Sequence, residues 1–181
     1  YGWANMNFGY EDQGFQLKQL SSIQGYPGEN GEGLLVGSSS KMMALVHAET
    51  IASGYVSPRP FRINAGAVHS YSMLADGKTC YLSEIVSGDQ VLICNANGNT
   101  RTMTVGRVKI EQRPMLILKM EDENAHTGNV YLQQAETVRL VTPQGNAVRI
   151  TELQNKDYIL GNVETTGRHV GVAISAKVVE R

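Results

Sequence analysis

The chain has 181 residues, a net charge of −1 and 41% hydrophobic residues. That length holds one domain with a real core or two small lobes. The near-zero charge gives no drive toward nucleic acid or an acidic membrane surface, and no apolar run approaches the ~18 residues of a transmembrane helix.

Nineteen glycines against five prolines, with Val, Ile and Thr between them, favour strands and turns. Cys80 and Cys94 are the only cysteines. They make neither a disulfide framework nor a zinc site, and a reducing compartment is the default. Residues 1–15 are aromatic and Gly/Asn-rich, without a period. They read as an irregular arm whose aromatics (Tyr1, Trp3, Phe8 and Tyr10) lie on a surface of this domain or of a partner. Because the first residue is Tyr1, we expect either a processed chain or part of a longer protein. Phe15–Leu20 reads as a short strand and Ser21–Glu32 as turn chemistry. The expected division is an arm and turn segment over 1–30 and a β domain over 31–181.

Gly31-Glu-Gly33-Leu-Leu-Val-Gly37 has glycines one residue too far apart for a dinucleotide loop, and a turn and a strand follow it instead of a helix. A hairpin of Gly33–Val36 with Met43–His47 is expected. Ala48–Gly54 is the best candidate for a helical turn. Ser57–Tyr71 (SPRPFRINAGAVHSY) gathers Arg59, Arg62, Asn64 and His69. Its prolines exclude a helix start, and from Phe61 the pattern alternates as a strand with one apolar and one polar face. Clustered guanidinium groups suit a carboxylate or phosphate, although a solvated strand face with ordinary ion pairs has the same composition.

Ser70–Leu92 aligns with Val138–Leu160 at an offset of 68, with Gly77 on Gly145, Glu84 on Glu152, Asp89 on Asp157 and Leu92 on Leu160. Two related β units are expected, packed as barrels or as halves of one barrel. Between the copies, Thr102–Glu111 and Met115–Met120 read as the longest strand pair, with a break at Arg113-Pro114. Lys109 and Glu111 share a face there, as a structural ion pair or an acid/base pair. The chain closes on a strand opening with Arg168 and His169. The fold class is therefore mainly β, barrel-like, with little helix.

His47-x-Glu49 has a zinc-deaminase spacing but no P-C-x-x-C follows. His47, His69 and His169 could converge as metal ligands, yet their spacing does not require it, and no metal site is expected. There is no G-x-S-x-G and no P-loop.

Seven stretches carry a family likeness: GEGLLVGSSS from Gly31, LVHAET from Leu45, YVSPRPFRINAGAVH from Tyr55, GKTCYLSEI from Gly77, VGRVKIEQRP from Val105, QAETVRLV from Gln134 and GRHVG from Gly167. Together they resemble the C-terminal half of the archaeal-type 3-dehydroquinate synthase, dehydroquinate synthase II. The resemblance implies an NAD-dependent oxidative deamination and cyclisation of an amino-dideoxy-heptulosonate to 3-dehydroquinate, feeding aromatic amino-acid synthesis. It implies a polar set of Glu49, Arg59, Arg62, Asn64, His69, Lys109, Glu111, Arg113, Glu136, Arg168 and His169. Within that set, Lys109, Glu111 and His69 are the catalytic candidates. Arg59, Arg62, Asn64, Arg113, Arg168 and His169 are the substrate- or anion-binding candidates.

Family members are much longer, and the family's Asp-Thr-Cys-type segment is replaced here by SSIQGYPGEN. The expectation is that this chain alone neither binds NAD tightly nor turns over. It would need a protein partner, either the missing N-terminal half or a larger assembly. The alternative is a non-catalytic β module docked in a larger complex, including a photosynthetic one. The expected compartment is the cytoplasm or the plastid stroma.

Overall fold

The computed structural model describes residues 3–21, 31–51, 61–164, 167–169 and 172–174, with the backbone alone for 3–21, 167–169 and 172–174. The strands in chain order are β1 (Trp3–Ser21), β2 (Gly33–Ser39), β3 (Met42–His47), β4 (Arg62–Ala67), β5 (Tyr71–Met73), β6 (Thr79–Tyr81) and β7 (Gln90–Cys94). They continue as β8 (Thr100–Thr104), β9 (Arg107–Asp122), β10 (Thr127–Gln133), β11 (Arg139–Val141), β12 (Ala147–Arg149) and β13 (Tyr158–Val163). β14 (Gly167–His169) and β15 (Val172–Ile174) form a separate hairpin. Among the described residues the one helical element is the 3-10 turn Leu82–Glu84. The chain is mainly β.

The predicted hairpin forms at the centre. Gly33 pairs with His47, Leu34 with Val46, Leu35 with Leu45 and Val36 with Ala44, and a register shift leads to Ser39 opposite Met42. Neither strand alternates apolar with polar, because both faces are covered. Leu34, Val36, Met42, Ala44 and Val46 enter one core cluster. Leu35, Met43 and Leu45 enter a second cluster with Cys94, Val141 and Leu160.

No closed barrel is found, against the expectation. The main path runs β10-β9-β1-β13-β3-β2-β5-β6, with the other strands of the sheet branching from it. The sheet branches because the central strands divide their length among partners. β2 meets β7 through Gly33 and Leu34 and meets β5 through Val36 and Gly37. β3 meets β11 through Val46 and meets β13 through Met42, Met43 and Ala44.

Three local expectations are corrected. Residues from Trp3 onward are strand and not an irregular arm. β1 pairs with β9 from Ala4 to Ser21 across a bulge between Gly9 and Gln13, with β13 at its start and with β4 at its end. Its order comes from these neighbours and not from a period of its own. The break in the long strand pair lies at Val105-Gly106, and β9 runs unbroken through Pro114. Pro114 is tolerated because its carbonyl accepts from Gln134 N–H just past the end of β10, so its missing donor faces an open edge. Ala48–Gly54 starts as a turn at Glu49 and Thr50, and residues 52–60 lie outside the described residues.

The two stretches aligned at offset 68 hydrogen-bond alike. Leu82 N–H donates to Ser70 O and Ile150 N–H to Val138 O. Val86 N–H donates to Asp89 Oδ2 at 2.8 Å, and Gln154 N–H to Asp157 Oδ2 at 2.9 Å. Gly77 and Gly145 both turn the chain with positive φ, 78° and 83°. The correspondence is confined to these contacts: the repeat of two β units is not confirmed, and no barrel closes.

Candidate functional site

The polar side chains collect where β3 ends and β4 begins. Glu49 and Arg62 clip these two elements together twice. The Glu49 backbone N–H donates to Arg62 O at 2.7 Å, and Arg62 Nε lies 3.1 Å from Glu49 Oε2. Arg59, in the segment 52–60, lies outside the described residues.

His47, the last residue of β3, is buried, and both of its ring nitrogens are engaged. Gly31 N–H donates to Nε2 at 3.0 Å, so Nε2 is the acceptor, and Nδ1 donates to Ala48 O. Burial holds the imidazole below its ordinary pKa, against the Ala48 hydrogen bond. His47 is thus a neutral structural histidine with no lone pair left for a metal. Among the described residues no group of three His, Cys, Asp or Glu is gathered to hold a metal ion. Beside it, Glu32 is buried and grips Arg101 through two bonds, Nε to Oε1 at 2.8 Å and Nη2 to Oε2 at 2.9 Å. The Arg101 guanidinium also lies 5.4 Å from the centre of the Phe61 ring.

The structure divides the residues expected to act together. Arg62 opens β4, and His69 lies two residues beyond its end. At about 3.3 Å per residue the strand between them is some 17 Å long, so they do not share one grip. Asn64 is buried and donates from Nδ2 to Gln133 Oε1 at 2.7 Å, while its Oδ1 is without a hydrogen-bond partner. His69 is exposed and meets the Tyr131 ring edge-on at 5.0 Å; partial burial lowers its pKa. Lys109, Glu111 and Arg113 form a triple on β9, with Glu111 bonded to Lys109 on one oxygen and to Arg113 Nη2 at 3.1 Å on the other. The hydrogen bond from Lys109, then that from Arg113, hold the Glu111 carboxyl below its usual range. Register brings this triple toward β4: Gln19 of β1 pairs with Asn64 on one side and with Lys109 on the other. Arg168 and His169 sit on β14, paired with β15, and their side chains lie outside the described residues, as does Arg59.

The sequence reading missed Arg139. It stands on β11, where Leu140 pairs with Val46, so Arg139 comes beside His47. It is only 4% exposed. Burial and the nearby Arg149 charge push its pKa down, opposed by the Glu49 and Glu152 carboxylates. Nothing in the short run Val-Arg-Leu-Val marks that burial. Only the cross-strand contact with β3 does.

The family model described as the 3-dehydroquinate synthase II C-terminal domain matches residues 27–181. The chain is 49% identical over 152 residues to the "3-dehydroquinate synthase" of Methanospirillum hungatei, covering 84% of this chain and 46% of the relative. It is 47% identical to the "3-dehydroquinate synthase" of Cenarchaeum symbiosum, covering 83% and 45%. It is 46% identical to the "3-dehydroquinate synthase homolog" of Aquifex aeolicus, covering 83% and 45%. No solved structure matches. The chain spans a little under half the length of these relatives. Among the described residues no helix is long and apolar enough to cross a membrane. With the domain match covering residues 27–181, the chain belongs to the 3-dehydroquinate synthase II family.

Proposed function

We propose that this chain supplies the C-terminal part of a 3-dehydroquinate synthase II enzyme. The reaction is the oxidative deamination and cyclisation of an amino-dideoxy-heptulosonate to 3-dehydroquinate, completed by the part of the enzyme this chain does not span. The 49% identity to a relative named 3-dehydroquinate synthase is the observation that carries this reading.

The proposed roles follow from the electrostatics. Arg62, Asn64 and Arg113 present donors to a polar substrate, with Arg59, Arg168 and His169 as further candidates. Asn64 Oδ1 is a buried acceptor without a partner, suited to a substrate hydroxyl or amine. Glu111 is held ionised by Lys109 and Arg113, which suits it to stabilise positive charge better than to take a proton. His69, with its pKa lowered, is neutral and basic near neutral pH, and is the better proton acceptor of the three catalytic candidates.

NAD would supply the hydride acceptor of the family reaction. The Gly31–Gly37 stretch does not fit its pyrophosphate. It enters β2 instead of opening a helix, and a Cβ built on Gly33 would stand 1.9 Å from Val46 O, so the glycine is filled by β3. No step is therefore routed through NAD on this chain.

The test is to incubate the purified chain with the amino-heptulosonate and NAD and to follow NADH absorbance. The 181-residue chain alone is expected to give no turnover. Turnover above background would place the whole site, cofactor cleft included, on this chain.

A further inference from the structure

We infer that Gln133, the last residue of β10, is a binding residue whose amide pairs with that of Asn64 to seat one hydroxyl group of a polyhydroxy substrate. The inference rests on the proposed function, which supplies the substrate, and adds a residue that the sequence pattern does not mark.

The first observation is an amide pair with polar atoms to spare. Asn64 Nδ2 donates to Gln133 Oε1 at 2.7 Å. Asn64 is 2% exposed, and its Oδ1 is buried with no hydrogen-bond partner. Among the described residues no group pairs with Gln133 Nε2 either. A buried acceptor with no donor costs stability, and a leucine fills nearly the same space without that cost. Asn64 therefore weakens the fold unless something donates to Oδ1.

The second observation is how the pair is held. β4 and β10 share no ladder, since β4 pairs with β1 and β10 with β9. They meet through side chains and one close backbone approach. A Cβ built on Gly66 would stand 2.4 Å from Tyr131 O, so the glycine lets β10 lie against β4. Side chains two apart on a strand share a face, so Tyr131 and Gln133 look the same way. Tyr131 meets the His69 ring edge-on at 5.0 Å, and Gln133 meets Asn64. One face of β10 thus touches two of the residues proposed to act on the substrate.

The ligand chemistry follows from the free atoms. Oδ1 only accepts and Nε2 only donates. A hydroxyl group does both: its O–H donates to Oδ1 while its oxygen accepts from Nε2. A ketone or carboxylate oxygen has no proton for Oδ1, and an ammonium has no lone pair for Nε2. The pair therefore selects a hydroxyl, a group that a heptulosonate carries.

The test uses the 181-residue chain and the amino-dideoxy-heptulosonate without NAD. Calorimetric affinity is read for the wild type, Gln133→Met, Asn64→Leu and the double variant. Each single variant should bind about three- to tenfold more weakly, the scale of one neutral hydrogen bond. The double variant should lose less than the product of the two, because both side chains hold the same hydroxyl. In the wild type, the side-chain NH2 signals of Asn64 and Gln133, read by 15N NMR, should move as ligand is added. A residue that only supports the fold shows no such shift. Should a variant fail to melt cooperatively, the wild-type signals decide. No binding by the wild type, unmoved amide signals, or equal affinity in Gln133→Met would each overturn the inference. None of these measurements reads turnover, so their failure is distinct from a failure of the enzyme to form product.

Discussion

The backbone N–H of Gly31 donates to Nε2 of His47 at 3.0 Å, tying the entry of β2 to the end of β3. The bond requires an unprotonated Nε2, so the fold selects neutral histidine. Burial lowers the His47 pKa from 6.5. The unfolded chain therefore takes up a proton at higher pH than the folded chain does. His47 costs no stability above about pH 6.5 and destabilises the fold as pH falls below it, by at most about 1.4 kcal/mol per pH unit. Urea midpoints measured from pH 7.5 to pH 5 should fall in the wild type and flatten in His47→Gln. His69 has a shift of the same sign, so His69→Gln should flatten the slope in part as well, and the slope left in His47→Gln reads the His69 share. An unchanged slope in His47→Gln would contradict this assignment.

Glu32 and Arg101 make a half-buried two-bond pair, with side chains 7% and 31% exposed. Arg101→Leu strands the Glu32 carboxylate and should cost about 3 kcal/mol. Adding Glu32→Gln should recover part of that loss, since the stranded charge is then gone. Denaturant unfolding of the single and double variants reads both effects. Equal stability of the two variants would mean that the carboxylate finds water.

Gly66 has φ 112°, and a Cβ there would stand 2.4 Å from Tyr131 O. Gly77 has φ 78° and nothing within 4 Å. Gly66→Ala should therefore cost more than about 2 kcal/mol, strain plus a backbone clash, whereas Gly77→Ala should cost about 1 kcal/mol from the dihedral alone. Thermal unfolding of the two variants separates them. Equal losses would show that β4 can move away from β10.

Local patterns were enough for the parts of the fold that local patterns decide. The β2–β3 hairpin follows from two apolar runs around Ser38–Lys41, and β4 follows from the alternation after Phe61. β1 was not legible, because its order comes from β9, a strand about 90 residues away in sequence, and not from any period. Pro114 misled because proline reads as a break, and only the end of β10 shows that its missing donor does no harm. In the site, Arg62 and Lys109 were found as charges on strand faces. Their partners, Glu49 and Glu111, are near in sequence. Arg139 was not found, since its burial follows only once β3, β11 and β12 are in place.

The central claim is that this chain is an active C-terminal part of a 3-dehydroquinate synthase II enzyme. The direct measurement is a chimera in which the matching part of the Methanospirillum hungatei 3-dehydroquinate synthase is replaced by residues 27–181 of this chain, assayed for 3-dehydroquinate formation. The expected result is product from the chimera, and its loss when Lys109→Ala and Glu111→Ala are introduced together. A chimera that folds and melts cooperatively but forms no 3-dehydroquinate would contradict the claim.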